Sequence, residues 1–144
     1  MAPFIVLIGS FLFFRLIGLL GVAYLDGWEP SLRIAVALLF LFAASAHWGK
    51  RRPDLIKMVP PAFPKPGLIV TITGILEIIG AIGLLIPITS SLAAAGLALL
   101  LIAMFPANIY AARKGSSMGG KPITSLFPRT IIQIIFITAV ILLI

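Results

Sequence analysis

Two full charges fall inside long apolar stretches of this sequence, and they set what chemistry it can offer. Glu77 is a lone carboxylate within GLIVTITGILEIIGAIGLLIP, and Arg15 lies near the middle of PFIVLIGSFLFFRLIGLLGVAYL. A charge at bilayer depth costs on the order of 3 kcal/mol on insertion scales, so it is retained with a partner or a task. The other acids, Asp26, Glu29 and Asp54, read as loop residues. Counting along the two helices at 1.5 Å per residue puts Arg15 about 18 Å in from Pro3 and Glu77 about 15 Å in from Gly67. Matching depths predict a buried Arg15–Glu77 pair, charge-assisted, that offsets both insertion penalties. Such a pair either fixes helix register, or marks Glu77 as a proton-handling group or the anchor for the polar head of a lipophilic ligand.

His47, the only histidine, closes an apolar segment in SAHWGKRRPD, and Asn108 lies about a turn inside the same interface in MFPANIYAA. Together they would line the mouth of an intramembrane pocket. The imidazole could exchange protons with a carbonyl there. The alternative is an interfacial belt of His47 beside Trp48, with Asn108 bonding between helices. Gln133 has the same standing as Asn108. A metal site built from one histidine, one membrane glutamate and no cysteine would be under-supplied, so none is expected.

The elements that must hold these residues are membrane helices. Apolar residues make up 61% of the 144 positions and charged ones only 10%, with mean hydropathy +1.22, against about 45–50% and about 25% in soluble domains. Five segments stand out: Pro3–Leu25, Ser31–Trp48, Gly67–Ile86, Ser91–Ala112 and Arg129–Ile144. The first, third and fourth are long enough for a hydrocarbon core of about 30 Å, whereas the second and the last, the latter of sixteen residues, are short. The first lacks the basic start of a signal peptide and is expected to be a retained helix.

Charge sorts the connections. Lys50, Arg51, Arg52, Lys57 and Lys65 occupy the loop at 49–66, and Arg113, Lys114, Lys121 and Arg129 mark the one at 113–128. The other two connections carry Arg33 as their one basic residue. The positive-inside rule then predicts five spans with the N-terminus cytoplasmic and the C-terminus outside. The net charge of +7 is explained by that topology, which leaves nucleic acid a poor partner. Gly74 and Ala81 share a helical face with Glu77, so small residues that permit close helix approach are expected to turn the carboxylate inward. In the fourth segment, Ala94, Leu97, Leu101, Met104, Asn108 and Ala111 form one stripe.

Three pieces, GILEIIGAIGLL with Gly74, Glu77, Gly80 and Gly83, the His47-to-Pro61 segment, and the Pro106–Asn108 element, resemble the DoxX-like family of small bacterial membrane proteins. The likeness covers roughly residues 32–144, with the first helix as an addition. It implies an all-α polytopic bundle, a four-helix unit plus one helix, in the bacterial plasma (inner) membrane. It also implies an accessory or assembly role beside a membrane complex, as relatives are described as subunits of membrane oxidoreductases. The expected partners are the bilayer and either a membrane-protein complex or a homo-oligomer. The expected ligand, if one is bound, is a quinone or another isoprenoid lipid. The alternative function is a quinone-binding oxidoreductase subunit using Glu77, Arg15 and His47. With no cysteine, the chain supplies no thiolate for sulfur transfer.

Overall fold

The computed structural model describes residues 2–25, 27–115, 117–118, 120–122 and 125–144. Six helices account for most of it: α1 (Ala2–Leu19), α2 (Trp28–Ser45), α3 (Arg52–Met58), α4 (Pro66–Leu85), α5 (Ser90–Lys114) and α6 (Leu126–Ile141). A 3-10 turn at Ala23–Leu25 precedes α2, and a two-residue antiparallel ladder pairs Ser117–Met118 with Lys121–Pro122. α1, α2, α4 and α5 are each long and apolar enough to cross a membrane, and α6 is apolar but shorter. Helices suit such a sequence because each satisfies its own backbone polar groups where no water is present.

α1 packs on α2, α2 on α4, α4 on α5 and α5 on α6, and a smaller contact joins α6 to α2. The core lies among α2, α4, α5 and α6. Val36, Leu39, Leu84, Leu97 and Val140 are essentially inaccessible. α1 contributes only Leu7 and Gly18 to the interior and exposes Ile5, Leu12, Phe13, Leu16 and Leu19. Contiguous apolar surface of this kind would drive aggregation in water, and it is what a bilayer-facing helix presents.

The helix ends differ from those expected, and proline and glycine explain most of the shifts. α1 stops at Leu19 rather than Leu25, because Gly21 takes φ +118° and turns the chain. α2 begins three residues early, since Pro30 is tolerated in a first turn where its missing N–H has no intrahelical partner. α4 opens with Pro66 and α6 carries Pro128 in its first turn for the same reason. α5 runs to Lys114 and ends at Gly115 in the left-handed conformation (φ +71°), a common helix stop. The loop at 49–66 contains the unexpected α3, which packs on α4, α5 and β1 (Ser117–Met118). That contact brings the two basic connections to one end of the bundle. Part of the 113–128 connection lies outside the described residues.

Candidate functional site

The site is built where the end of α2 meets the first half of α4. After Ser45 the chain tightens into turns, with Ala46 N–H donating to Ala43 O and His47 N–H to Ala44 O. This carries His47 under the start of α4. The buried face of α4 comprises Val70, Gly74, Glu77, Gly80, Ala81 and Leu84, so Glu77 does face inward, at 3% exposure. Gly74 makes the approach possible. A Cβ there would stand 2.9 Å from His47 Cβ and 2.8 Å from Trp48 Cη2. The missing side chain is what lets His47 and Trp48 pack closely against α4.

His47 Nδ1 lies 2.7 Å from the Val70 carbonyl oxygen, and Nε2 lies 3.5 Å from Glu77 Oε2. The second contact is within ion-pair range but long for a hydrogen bond, and among the described residues Oε2 has no closer polar partner. Thr73 Oγ1 donates to Ile69 O and Val70 O and stands 3.4 Å from His47 Nδ1. Arg52 pins the assembly from the basic end. Its Nη1 donates to His47 O at 2.8 Å, and its Nη2 donates to Gly67 O at 3.0 Å and Thr71 Oγ1 at 2.9 Å. A cation on the last carbonyls beyond α2 both satisfies them and suits the helix dipole.

Burial alone would lower the pKa of His47, which lies in the turn beyond α2. The Glu77 carboxylate and the Val70 carbonyl outweigh that effect and the opposing Arg52 charge, so the value rises above the ordinary imidazole value.

The structure does not bring Glu77 and Arg15 together. Because α1 ends at Leu19, Arg15 is one turn from the end of its helix, not mid-span, and α1 packs on α2, not α4. Its guanidinium instead reaches the Leu25 carbonyl at 3.5 Å, snorkelling toward the connection. Nor do His47 and Asn108 share a pocket mouth. Asn108 Oδ1 accepts from Arg129 Nη1 at 2.8 Å, tying α5 to α6, and Gln133 Nε2 donates to Leu101 O at 2.6 Å one turn deeper. The predicted set of four thus divides into three places, and the pairing that forms is His47 with Glu77.

Arg52, Thr73 and the Val70 carbonyl belong to the site and are not marked by the sequence. Arg52 sits in a run of basic residues that topology explains, and Thr71 and Thr73 look like ordinary helix positions. Gly74 is the one signal that could have found the contact, because a glycine one turn before a membrane carboxylate asks what fills its place.

Two apolar cavities open elsewhere. One of about 540 Å³ lies between α4 and α5 and is lined by Ile79, Gly80, Gly83, Ala93, Gly96 and Leu97 among others. Another of about 290 Å³ lies where α1 meets α2 and α6, along Leu7, Phe11, Leu32 and Ile135. Neither includes His47 or Glu77 in its lining. Among the described residues no group of three or more His, Cys, Asp or Glu side chains could hold a metal ion.

Comparison with known proteins gives one match. A family model described as Domain of unknown function (DUF8561) covers residues 36–143, from within α2 to the end of the chain's last turn. No curated protein and no solved structure matches the chain.

Proposed function

The chain belongs to the DUF8561 family, and we propose that it is a DoxX-like membrane accessory protein, a partner or assembly subunit of a larger membrane complex. In this reading all five apolar helices span the bacterial plasma membrane. The basic end is cytoplasmic, which places the N-terminus inside and the C-terminus outside. The family match begins inside α2 and leaves α1 out, in keeping with a four-helix unit to which α1 is added.

The observation that carries the proposal is how Glu77 is used. The buried carboxylate faces His47 across a glycine-packed contact between α2 and α4 and lines neither cavity. A carboxylate used this way joins helices; it does not present itself to a substrate. Native mass spectrometry of the protein released from its own membrane in mild detergent tests the reading. The expected species is heavier than one chain and includes further membrane subunits. A lone chain carrying only lipid would remove the accessory role.

One observation favours the second reading, a quinone-binding oxidoreductase subunit. The groove of about 540 Å³ between α4 and α5 is within the size range of ligand sites, and its Gly80 lies one turn from Glu77. An organic extract of the purified protein should then contain a quinone or another isoprenoid near one per chain. Gly96→Phe, which projects a ring into a position where a Cβ meets nothing within 4 Å, should reduce it.

A further inference from the structure

The hydrogen bonds of His47 decide where its protons are. The Val70 carbonyl oxygen can only accept, so at 2.7 Å it requires a hydrogen on Nδ1. Thr73 Oγ1, whose own hydrogen is directed at Ile69 O and Val70 O, offers Nδ1 a second acceptor. A neutral imidazole protonated at Nδ1 presents a bare lone pair at Nε2. That nitrogen faces Glu77 Oε2 at 3.5 Å, and a carboxylate oxygen is also only an acceptor. Two acceptors facing each other in a buried contact repel, unless a proton lies between them.

We infer that His47 and Glu77 form a one-proton site, in which a single proton held between Nε2 and Oε2 joins α2 to α4 and its loss loosens that joint. With the proton bound, the pair is either imidazolium and carboxylate or imidazole and carboxylic acid, and neutral overall. When the proton leaves to water or buffer, the pair becomes neutral imidazole and carboxylate. One uncompensated negative charge then stays at 3% exposure. Burying a charge without a partner is costly, and separating the helices relieves it.

Among the described residues, the charges acting on His47 are Glu77 from α4 and Arg52 from the start of α3. Arg129 at the start of α6 is held by Asn108 of α5, and Arg15 of α1 turns to Leu25. Because the folded His47 value is raised, the joint is at full strength below the ordinary imidazole value of about 6.5. It weakens as pH rises through the folded value. The inference rests on reading the pair as a joint between helices.

The single histidine makes the test direct. In protein labelled with ¹⁵N-histidine and held in nanodiscs, the two ring nitrogens give unambiguous signals. The expected neutral form carries hydrogen on Nδ1 and none on Nε2, opposite to the preference of free histidine. Melting temperature should fall as pH rises through the Nε2 transition. In Glu77→Gln the amide can donate to a bare Nε2, so the His47 transition should move to lower pH and the fall of melting temperature with rising pH should disappear. A neutral form with hydrogen on Nε2, or a wild-type melting temperature flat across the transition, overturns the one-proton site. Both readouts use the unaltered chain, so they stand even if the variant does not fold. A Glu77→Gln protein as stable as wild type at pH 6 would instead overturn the joint itself.

Discussion

Glu77 is held in the interior by a neighbour that is distant in sequence and close in space. Replacing it by Gln removes the ion pair but keeps the shape, and at pH 6 a loss of about 1–3 kcal/mol is expected, read as a lower melting temperature in detergent. Arg15→Leu should cost less, under about 1 kcal/mol, because its bond to Leu25 O is long at 3.5 Å. Exchanging the two charges, Glu77→Arg with Arg15→Glu, should rescue neither single change, since the two side chains belong to separate contacts. The carboxylate itself was legible as a buried group from its charge in an apolar run. Its partner was not, because a histidine at a helix end has no periodicity linking it to position 77.

Among the helices, glycine sets the spacing, and the consequences differ by position. At Gly74 a Cβ would meet His47 and Trp48, and at Gly83 it would stand 2.9 Å from Ala93 Cβ. Ala93 has no flexible side chain to move aside, so Gly83→Ala must displace α4 from α5. Each of Gly74→Ala and Gly83→Ala should destabilise by about 1–3 kcal/mol in thermal melts. Gly96→Ala makes the contrast. It meets open space, so the better helix former should be neutral to stabilising by about 0.5–1 kcal/mol. The stripe expected on α5 is buried at Ala94, Leu97, Leu101 and Ala111, whereas Met104 and Asn108 are only half-buried. α3 was not legible in the sequence because a seven-residue helix with a proline in its first turn and two more just beyond it carries too little periodicity to distinguish it from a loop.

For the whole molecule, the charge asymmetry makes a claim about sidedness that a cysteine-free chain is well suited to test. Lys57→Cys lies at the basic end and Ile88→Cys in the α4–α5 connection, where the native side chain is 94% exposed. A maleimide that cannot cross membranes, added to intact cells, should label Ile88→Cys and spare Lys57→Cys until the membrane is opened. Labelling of both from outside would rule out the cytoplasmic basic end. The sequence by itself determined that this is a helical chain with apolar surfaces of membrane-spanning length, that its basic residues gather in two connections, and that Glu77 faces inward. Those features follow from local quantities: hydropathy over a window, charge per loop, and the 3.6-residue spacing of small residues around a carboxylate. Only the tertiary structure decided what Glu77 meets. That choice depends on where α1 and α2 stop and on which helix stands beside α4. A glycine turn at Gly21 and the tightened turns after Ser45 fix those points to within a residue or two. Each residue moves a side chain 1.5 Å along and about 100° around its helix. An error of a few residues at a helix end is therefore enough to exchange Arg15 for His47 as the partner of a buried charge.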